Sequence, residues 1–205
     1  MTEQQWDKKL GIQTTGRDAS RADAYRYPYE PTSYAVLQRL AESGLLTRDN
    51  TLVDYGCGKG RVGIFLHASI GCKTTGVEYD GRVYAAALEN VRAYGKDGVS
   101  VVCTSAEAFE IVDADCFYFF NPFSVEVLQR VYSRIQESYY CKLKSKRLFF
   151  YYPSDDYVSW LMCRRELQFL REISCMDLFP GMDARERILV FELPDLSGEE
   201  YYDAL

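Results

Sequence analysis

One stretch constrains this chain more than any other: Thr51-Leu-Val-Asp-Tyr-Gly-Cys-Gly-Lys-Gly-Arg-Val-Gly63. The short apolar run Leu52-Val53 predicts a buried parallel strand, and Asp54 stands where that strand ends. Gly56, Gly58 and Gly60 follow at alternate positions, and Val62, Ile64, Phe65 and Leu66 then supply the apolar face of a helix. Strand, glycine turn and helix make the βα unit that wraps a nucleotide-like ligand. Glycine has no Cβ, so the backbone there turns sharply and approaches a ligand closely.

The chain around this unit keeps alternating strand and helix patterns. Residues 1 to about 24 are polar with Trp6 as their large anchor, which predicts a loosely ordered arm or a short cap helix. Pro28 and Pro31 interrupt any helix across Tyr25–Tyr34, and the next helix is expected to start at Pro31 or Thr32, with Val36, Leu37, Leu40 and Leu45 inward. Beyond the glycine unit, Gly71–Asp80 predicts a second strand ending at Glu78. Residues 82–94 predict a helix, Val99–Thr104 a third strand, and Ala114–Phe120 a fourth strand running into Asn121-Pro122-Phe123-Ser124. Ser124 is placed to cap a helix carrying Val127, Leu128, Val131 and Ile135. Lys146–Tyr152 predicts a fifth strand stopped by Pro153, followed by a short helix at Tyr157–Cys163. Two late apolar segments, 167–176 and 187–193, form a hairpin-like pair. The expected fold is therefore α/β: a three-layer sandwich whose seven-stranded sheet is mostly parallel with the last strand antiparallel, and with helices on both faces. The expected division is 1–28 as arm or cap, 29–193 as the main domain and 194–205 as an acidic tail.

Composition excludes several classes. With 205 residues, one substantial core is the default. The net charge of −6 speaks against a general nucleic-acid binder, which usually shows a basic face. Lys142, Lys144, Lys146 and Arg147 make one basic cluster, read first as a solvated helix end and second as a binding patch. His67 is the only histidine and no CxxC pair exists, so zinc sites and histidine-dependent nucleophiles are poorly supported; no metal is expected. Seven scattered cysteines without a recognisable signal peptide point to reduced thiols in the cytoplasm, and no apolar run approaches the roughly 20 residues of a membrane span.

Gly58-Lys-Gly-Arg-Val-Gly63 formally satisfies the dinucleotide pattern, and a nicotinamide-dependent oxidoreductase is one reading of it. The acid distinguishes the alternatives. Asp54 at the strand end repels a pyrophosphate and attracts a cationic ligand, such as the sulfonium and amino groups of S-adenosylmethionine. Glu78 at the end of the second strand can accept from both hydroxyls of a ribose in either case.

With Asp54-Tyr-Gly-Cys-Gly-Lys-Gly60, Glu78-Tyr79-Asp80 and Asn121-Pro122-Phe123 in this order, residues 29–193 resemble the class I S-adenosylmethionine-dependent methyltransferases. The resemblance implies that backbone from Asp54 and Tyr55 through Gly56, Cys57, Gly58 and Gly60 contacts the methionine part of the cofactor. It implies that Glu78 holds the ribose, that Tyr79 lines the adenine pocket, and that Ser105-Ala106 stands where many members carry an Asp-Ala touching the adenine amino group. S-adenosylhomocysteine is the implied product. Asn121-Pro122-Phe123 resembles the Asn-Pro-Pro-aromatic turn of amino-group methyltransferases with one proline fewer, which implies a catalytic role for Asn121, Pro122 and Phe123 on an acceptor nitrogen. Tyr29-Glu-Pro-Thr-Ser-Tyr34 resembles a segment of the non-SET lysine methyltransferases, departing from it at Glu30 and Pro31. This implies that Thr32 closes over the cofactor and that Tyr29 walls the acceptor site.

The acceptor expected on these grounds is a nitrogen of a protein or small molecule rather than nucleic acid, with no membrane partner. A non-catalytic cofactor-binding module remains a further alternative. Cys57 reads as a small packing residue before a nucleophile, His67 as structural, and Asp155-Asp156 as a helix-capping pair. Tyr151 and Tyr152 end the fifth strand on the ligand side, as packing residues or as lining of the acceptor mouth.

Overall fold

The computed structural model describes residues 1–16 and 30–197. Its centre is a seven-stranded sheet: β1 (Thr51–Tyr55), β2 (Lys73–Glu78), β3 (Val99–Cys103), β4 (Cys116–Phe119), β5 (Lys146–Tyr151), β6 (Gln168–Ser174) and β7 (Arg187–Leu193), in the spatial order β3-β2-β1-β4-β5-β7-β6. β1 to β5 pair in parallel, and β7 inserts antiparallel between β5 and β6. The strand order reverses between β1 and β4, and ligands of open α/β sheets bind outside the strands' carboxyl ends at such a switch point.

Helices cover both faces. α2 (Tyr34–Glu42) and α3 (Arg61–Ile70) bury Val36, Leu37, Leu40, Phe65 and Leu66 against Leu52, Tyr118, Phe149 and Val190. On the other face α5 (Val125–Tyr140) and α6 (Asp155–Met162) pack Val127, Leu128, Val131, Ile135, Tyr157 and Leu161 on Val53, Phe117, Phe119, Leu148 and Phe150. Strand residues divide by parity between the two cores, as the pleat dictates for a sheet buried on both sides. α4 (Gly81–Tyr94) packs on β3. Between β3 and β4 the only helical element is the single 3₁₀ turn Ala106–Ala108, and β3 keeps Val102 and Cys103 exposed.

Two helix starts differ from the sequence expectation, and the N-terminal segment takes the short-helix form of the two expected for it. The N-terminal helix is well defined: α1 (Glu3–Leu10) carries a capping box in which Thr2 and Gln5 exchange hydrogen bonds, and it ends at Gly11 in the left-handed region. α2 begins at Tyr34 rather than at Pro31 or Thr32, because Ser33 supplies the cap and Thr32 is committed elsewhere: its carbonyl accepts from Arg61 and its hydroxyl pairs with Tyr118. α6 starts at Asp155, two residues early. Ser154 caps it, so Asp155 and Asp156 lie in its first turn, where the helix dipole favours acids. Ser124 occupies the N-cap position of α5, but its hydroxyl makes no capping bond.

The basic cluster lies at the opposite edge from the glycine turn, and two of its four charges are paired with acids. Lys142 pairs with Asp113, Lys146 donates to the Ala114 carbonyl and Arg147 pairs with Glu192. No helix among the described residues is long and apolar enough to cross a membrane, and none of the seven cysteines is bridged.

Candidate functional site

The glycine turn occupies the carboxyl end of β1, and the side-chain-free positions are those that need to be. Gly56, Gly58 and Gly60 all have φ in the left-handed region, at +74°, +55° and +82°. The Gly56 and Cys57 amides donate to the Val77 carbonyl, and the Gly60 amide donates to the Cys57 carbonyl, so the loop is tied to β2 and to itself. Cys57 is buried with its sulfur against Gly76, where an added Cβ would fall 2.6 Å away; it is a packing residue. Tyr55 turns its ring away from the turn into the core, stacked 5.2 Å from Phe119, so only its backbone borders the turn.

Two carboxylates flank the turn. Asp54 is 2% exposed, and its Oδ2 has no hydrogen-bond partner among the described residues. Burial, and then the charge of Glu78, push its carboxyl up to about 8. A buried polar oxygen without a partner is costly, and at a strand end beside a glycine turn it marks a place where a ligand completes the bonding. Glu78 accepts from the Gly58 amide at 3.0 Å through Oε2 and from the Asp80 amide at 2.9 Å through Oε1. Burial raises its pKa against the pull of these backbone bonds. The Tyr79 amide adds a third backbone bond, and three donors leave part of the carboxylate's acceptor capacity for an outside donor. Tyr79, 56% exposed, follows at the start of the β2–α4 turn, and Ser105 and Ala106 stand just past the end of β3, beside Glu78, whose carbonyl accepts from Thr104.

The Asn121-Pro122-Phe123 turn leaves β4 on the same edge. Asn121 has φ +45°, and its Oδ1 accepts weakly from the Ser154 amide at 3.4 Å. Pro122 abuts Gly56, so the turn and the glycine loop touch. Phe123 is buried: its ring meets Phe119 edge-on at 6.2 Å, and its carbonyl accepts from the Tyr157 hydroxyl at 2.7 Å. It anchors the turn from within the core. Tyr152, at the end of neighbouring β5, also has positive φ, +49°; its hydroxyl donates to Asp183 and the Arg185 guanidinium lies over its ring. Tyr151 is buried, and its hydroxyl donates to Glu186. Tyr29 lies outside the described residues. Thr32 is buried, with its Oγ1 3.1 Å from the hydroxyl of Tyr118, the residue that pairs with Asp54 across the sheet. His67 is structural: its Nδ1 bonds the Cys72 carbonyl and its ring packs on Gly98.

Two residues beside the turn carry no signal at the sequence level. Arg61, the first residue of α3, is 2% exposed and gathers Glu3, Thr14, Thr15 and the Thr32 carbonyl around its guanidinium, which also lies 4.3 Å over the Tyr34 ring. Asn90 of α4 is buried and donates to the Lys59 carbonyl within the turn. Among the described residues, no group of three or more potential metal ligands is present.

No family model and no curated relative matches the sequence. Solved structures with a similar fold include an RNA methyltransferase from Salinibacter ruber in complex with S-adenosyl-L-homocysteine. It is 16% identical with a TM-score of 0.50, and the match covers 85% of this chain and 100% of that one. M. capricolum TrmK in complex with S-adenosyl-homocysteine is 12% identical with a TM-score of 0.57, covering 82% and 70%. A mutant of MtNAS in complex with S-adenosylmethionine is 18% identical with a TM-score of 0.55; the match covers 78% of this chain but 60% of that one, so this chain spans under two thirds of its length. The chain thus has the seven-stranded, Rossmann-like fold expected from its sequence.

Proposed function

We propose that this protein is an S-adenosylmethionine-dependent methyltransferase whose acceptor is a nitrogen of a protein or small molecule. The observation that carries the cofactor is the buried, unpartnered Asp54 carboxyl oxygen at the end of β1, beside a turn of three left-handed glycines. A cationic ligand draws Asp54 into its carboxylate form and gains an ion pair there, a gain that a pyrophosphate cannot make, which favours S-adenosylmethionine over the nicotinamide alternative. Glu78 suits a ribose with its remaining lone pairs. The three structural neighbours carry S-adenosylmethionine or its demethylated product, in agreement with this ligand.

When bound, the cofactor supplies a methyl group already activated by its sulfonium, so the protein's contribution is chiefly alignment, which can be worth on the order of 7–11 kcal/mol. In this reading, backbone of the glycine turn holds the amino-acid end and Glu78 the ribose, with Tyr79 and Ser105-Ala106 at the base. Asn121 Oδ1 exchanges its long bond to Ser154 for an N–H of the acceptor, the Pro122 carbonyl accepts a second, and Thr32 borders the site. Preference for a protein or small molecule rests on the net charge of −6 and on the place of the basic cluster at the far edge, with Lys142 and Arg147 paired to acids. One of these neighbours points the other way: the Salinibacter protein is an RNA methyltransferase.

Incubation with methyl-labelled donor and a lysate fractionated into protein, RNA and small molecules decides the acceptor. Label in RNA alone overturns the preference. Label in none, with S-adenosylhomocysteine still bound, identifies a non-catalytic module. Thermal stabilisation by NAD and not by S-adenosylhomocysteine overturns the cofactor.

A further inference from the structure

The N-terminal segment is fastened to the glycine turn on both flanks. On one side Arg61, one residue past Gly60, bonds Thr14 through Nε at 2.7 Å, Glu3 through Nη1 and Thr15 through Nη2 at 3.4 Å. The same Nη1 donates to the Thr32 carbonyl at 3.0 Å, and Thr32 in turn meets Tyr118, the cross-strand partner of Asp54. On the other side Asn90 accepts from the Gln13 amide at 2.8 Å, donates back to the Gln13 carbonyl and donates to the Lys59 carbonyl at 2.9 Å inside the turn. Asp7 consolidates the segment by accepting from the amides and hydroxyls of Thr14 and Thr15 and from the Tyr34 hydroxyl. Burial pushes the Asp7 carboxyl up, but these bonds outweigh it and hold it below the usual range. Trp6 completes the contact, stacked 5.7 Å from Tyr34 and edge-on to Phe65 at 5.1 Å.

A surface arm does not need a buried arginine. A guanidinium 2% exposed is retained only where its donors are saturated, and here most of its partners come from residues 3–15. We propose that Arg61 and Asn90 are positioning residues that brace the glycine turn against the N-terminal segment, so that the cofactor site is complete only while that segment is docked. This rests on the reading of the turn as an S-adenosylmethionine site. The coupling is reciprocal: docking of the segment raises affinity for the cofactor, and the cofactor holds the segment down.

The test uses the full chain with S-adenosylhomocysteine as the probe, its affinity read by calorimetry. Docking is read from Trp6 emission in a Trp160→Phe background. Glu3→Ala keeps a good helix former in α1 while removing the Arg61 partner, and Asn90→Leu cuts the second flank without touching a charge. Each is expected to weaken S-adenosylhomocysteine binding about fivefold or more and to red-shift Trp6, with saturating S-adenosylhomocysteine reversing the shift. Arg61→Lys, which keeps the charge, is expected to bind better than Arg61→Met. Affinity equal to that of the unmodified protein in both Glu3→Ala and Asn90→Leu overturns the inference, whatever Trp6 reports. Failure of the unmodified protein to bind S-adenosylhomocysteine overturns the cofactor reading itself, and the brace with it.

Discussion

Gly56 lies against Pro122 so closely that a Cβ added to the glycine would fall 2.5 Å from the Cβ of the proline. The loop that leaves β1 and the turn that leaves β4 therefore share one surface, and neither can shift alone. Proline has little room to yield, because it is followed by Phe123, which is buried. Gly56→Ala meets this clash and a φ of +74° that alanine resists, so a loss of about 1–3 kcal/mol is expected in denaturant unfolding. A loss under about 0.5 kcal/mol would mean that the two turns move independently.

Glu78 gives the cofactor reading its most direct check. The carboxylate accepts from Gly58 and Asp80 through different oxygens, and a glutamine can offer an acceptor to only one of those amides. Glu78→Gln is expected to weaken S-adenosylhomocysteine binding on the order of 10- to 100-fold in calorimetry, the equivalent of one charge-assisted bond of roughly 1.5–3 kcal/mol. Unchanged affinity would remove Glu78 from the ligand site.

Asn121 separates acceptor chemistry from cofactor binding. It stands in the left-handed region, which asparagine tolerates better than alanine and which glycine tolerates best. Asn121→Ala is expected to lower methyl transfer to the identified acceptor about 100-fold while S-adenosylhomocysteine affinity stays near its starting value. Asn121→Gly relieves the backbone but supplies no side chain, so it should be as inactive as the alanine variant and more stable. Activity in the glycine variant would show that backbone geometry, not the amide side chain, is what the turn requires.

The sheet and the glycine turn are legible because their signals are local: β1 and its turn span ten residues, and Asp54 and Glu78 end consecutive parallel strands. The α1 helix also has a local signal, Thr2 and Gln5 at capping-box spacing, which a polar segment with one large anchor obscures. Arg61 and Asn90 are different. An arginine at a helix start and an asparagine on a helix read as solvent-facing, and what buries them comes from far away in sequence: Thr14 is 47 residues from Arg61, and Gln13 is 77 from Asn90. Phe123 shows how burial escapes a local pattern. The Asn-Pro-Phe pattern places the aromatic at the acceptor turn but does not show that the exit of the fourth strand also packs its ring beside Phe119.

Asp54 makes a pH signature. Its carboxyl lies at about 8 in the fold against an ordinary value of 3.8, with burial as the main cause and Glu78 as the second. Between these values the folded protein holds a proton that the unfolded chain has released. The stability linked to Asp54 is therefore fully present below pH 3.8, falls as pH rises through the window, and is flat above about 8, with a slope of at most about 1.4 kcal/mol per unit. Asp54→Asn removes this component, so the stability of the variant relative to the unmodified protein should rise with pH and level off near 8. A cationic ligand beside Asp54 favours its carboxylate, so S-adenosylmethionine binding at pH 7 should release a proton, and affinity should increase with pH until about 8. Calorimetry in two buffers of different ionisation enthalpy counts that proton, and equal counts in the unmodified protein and in Asp54→Asn would place the sulfonium somewhere other than against this carboxyl.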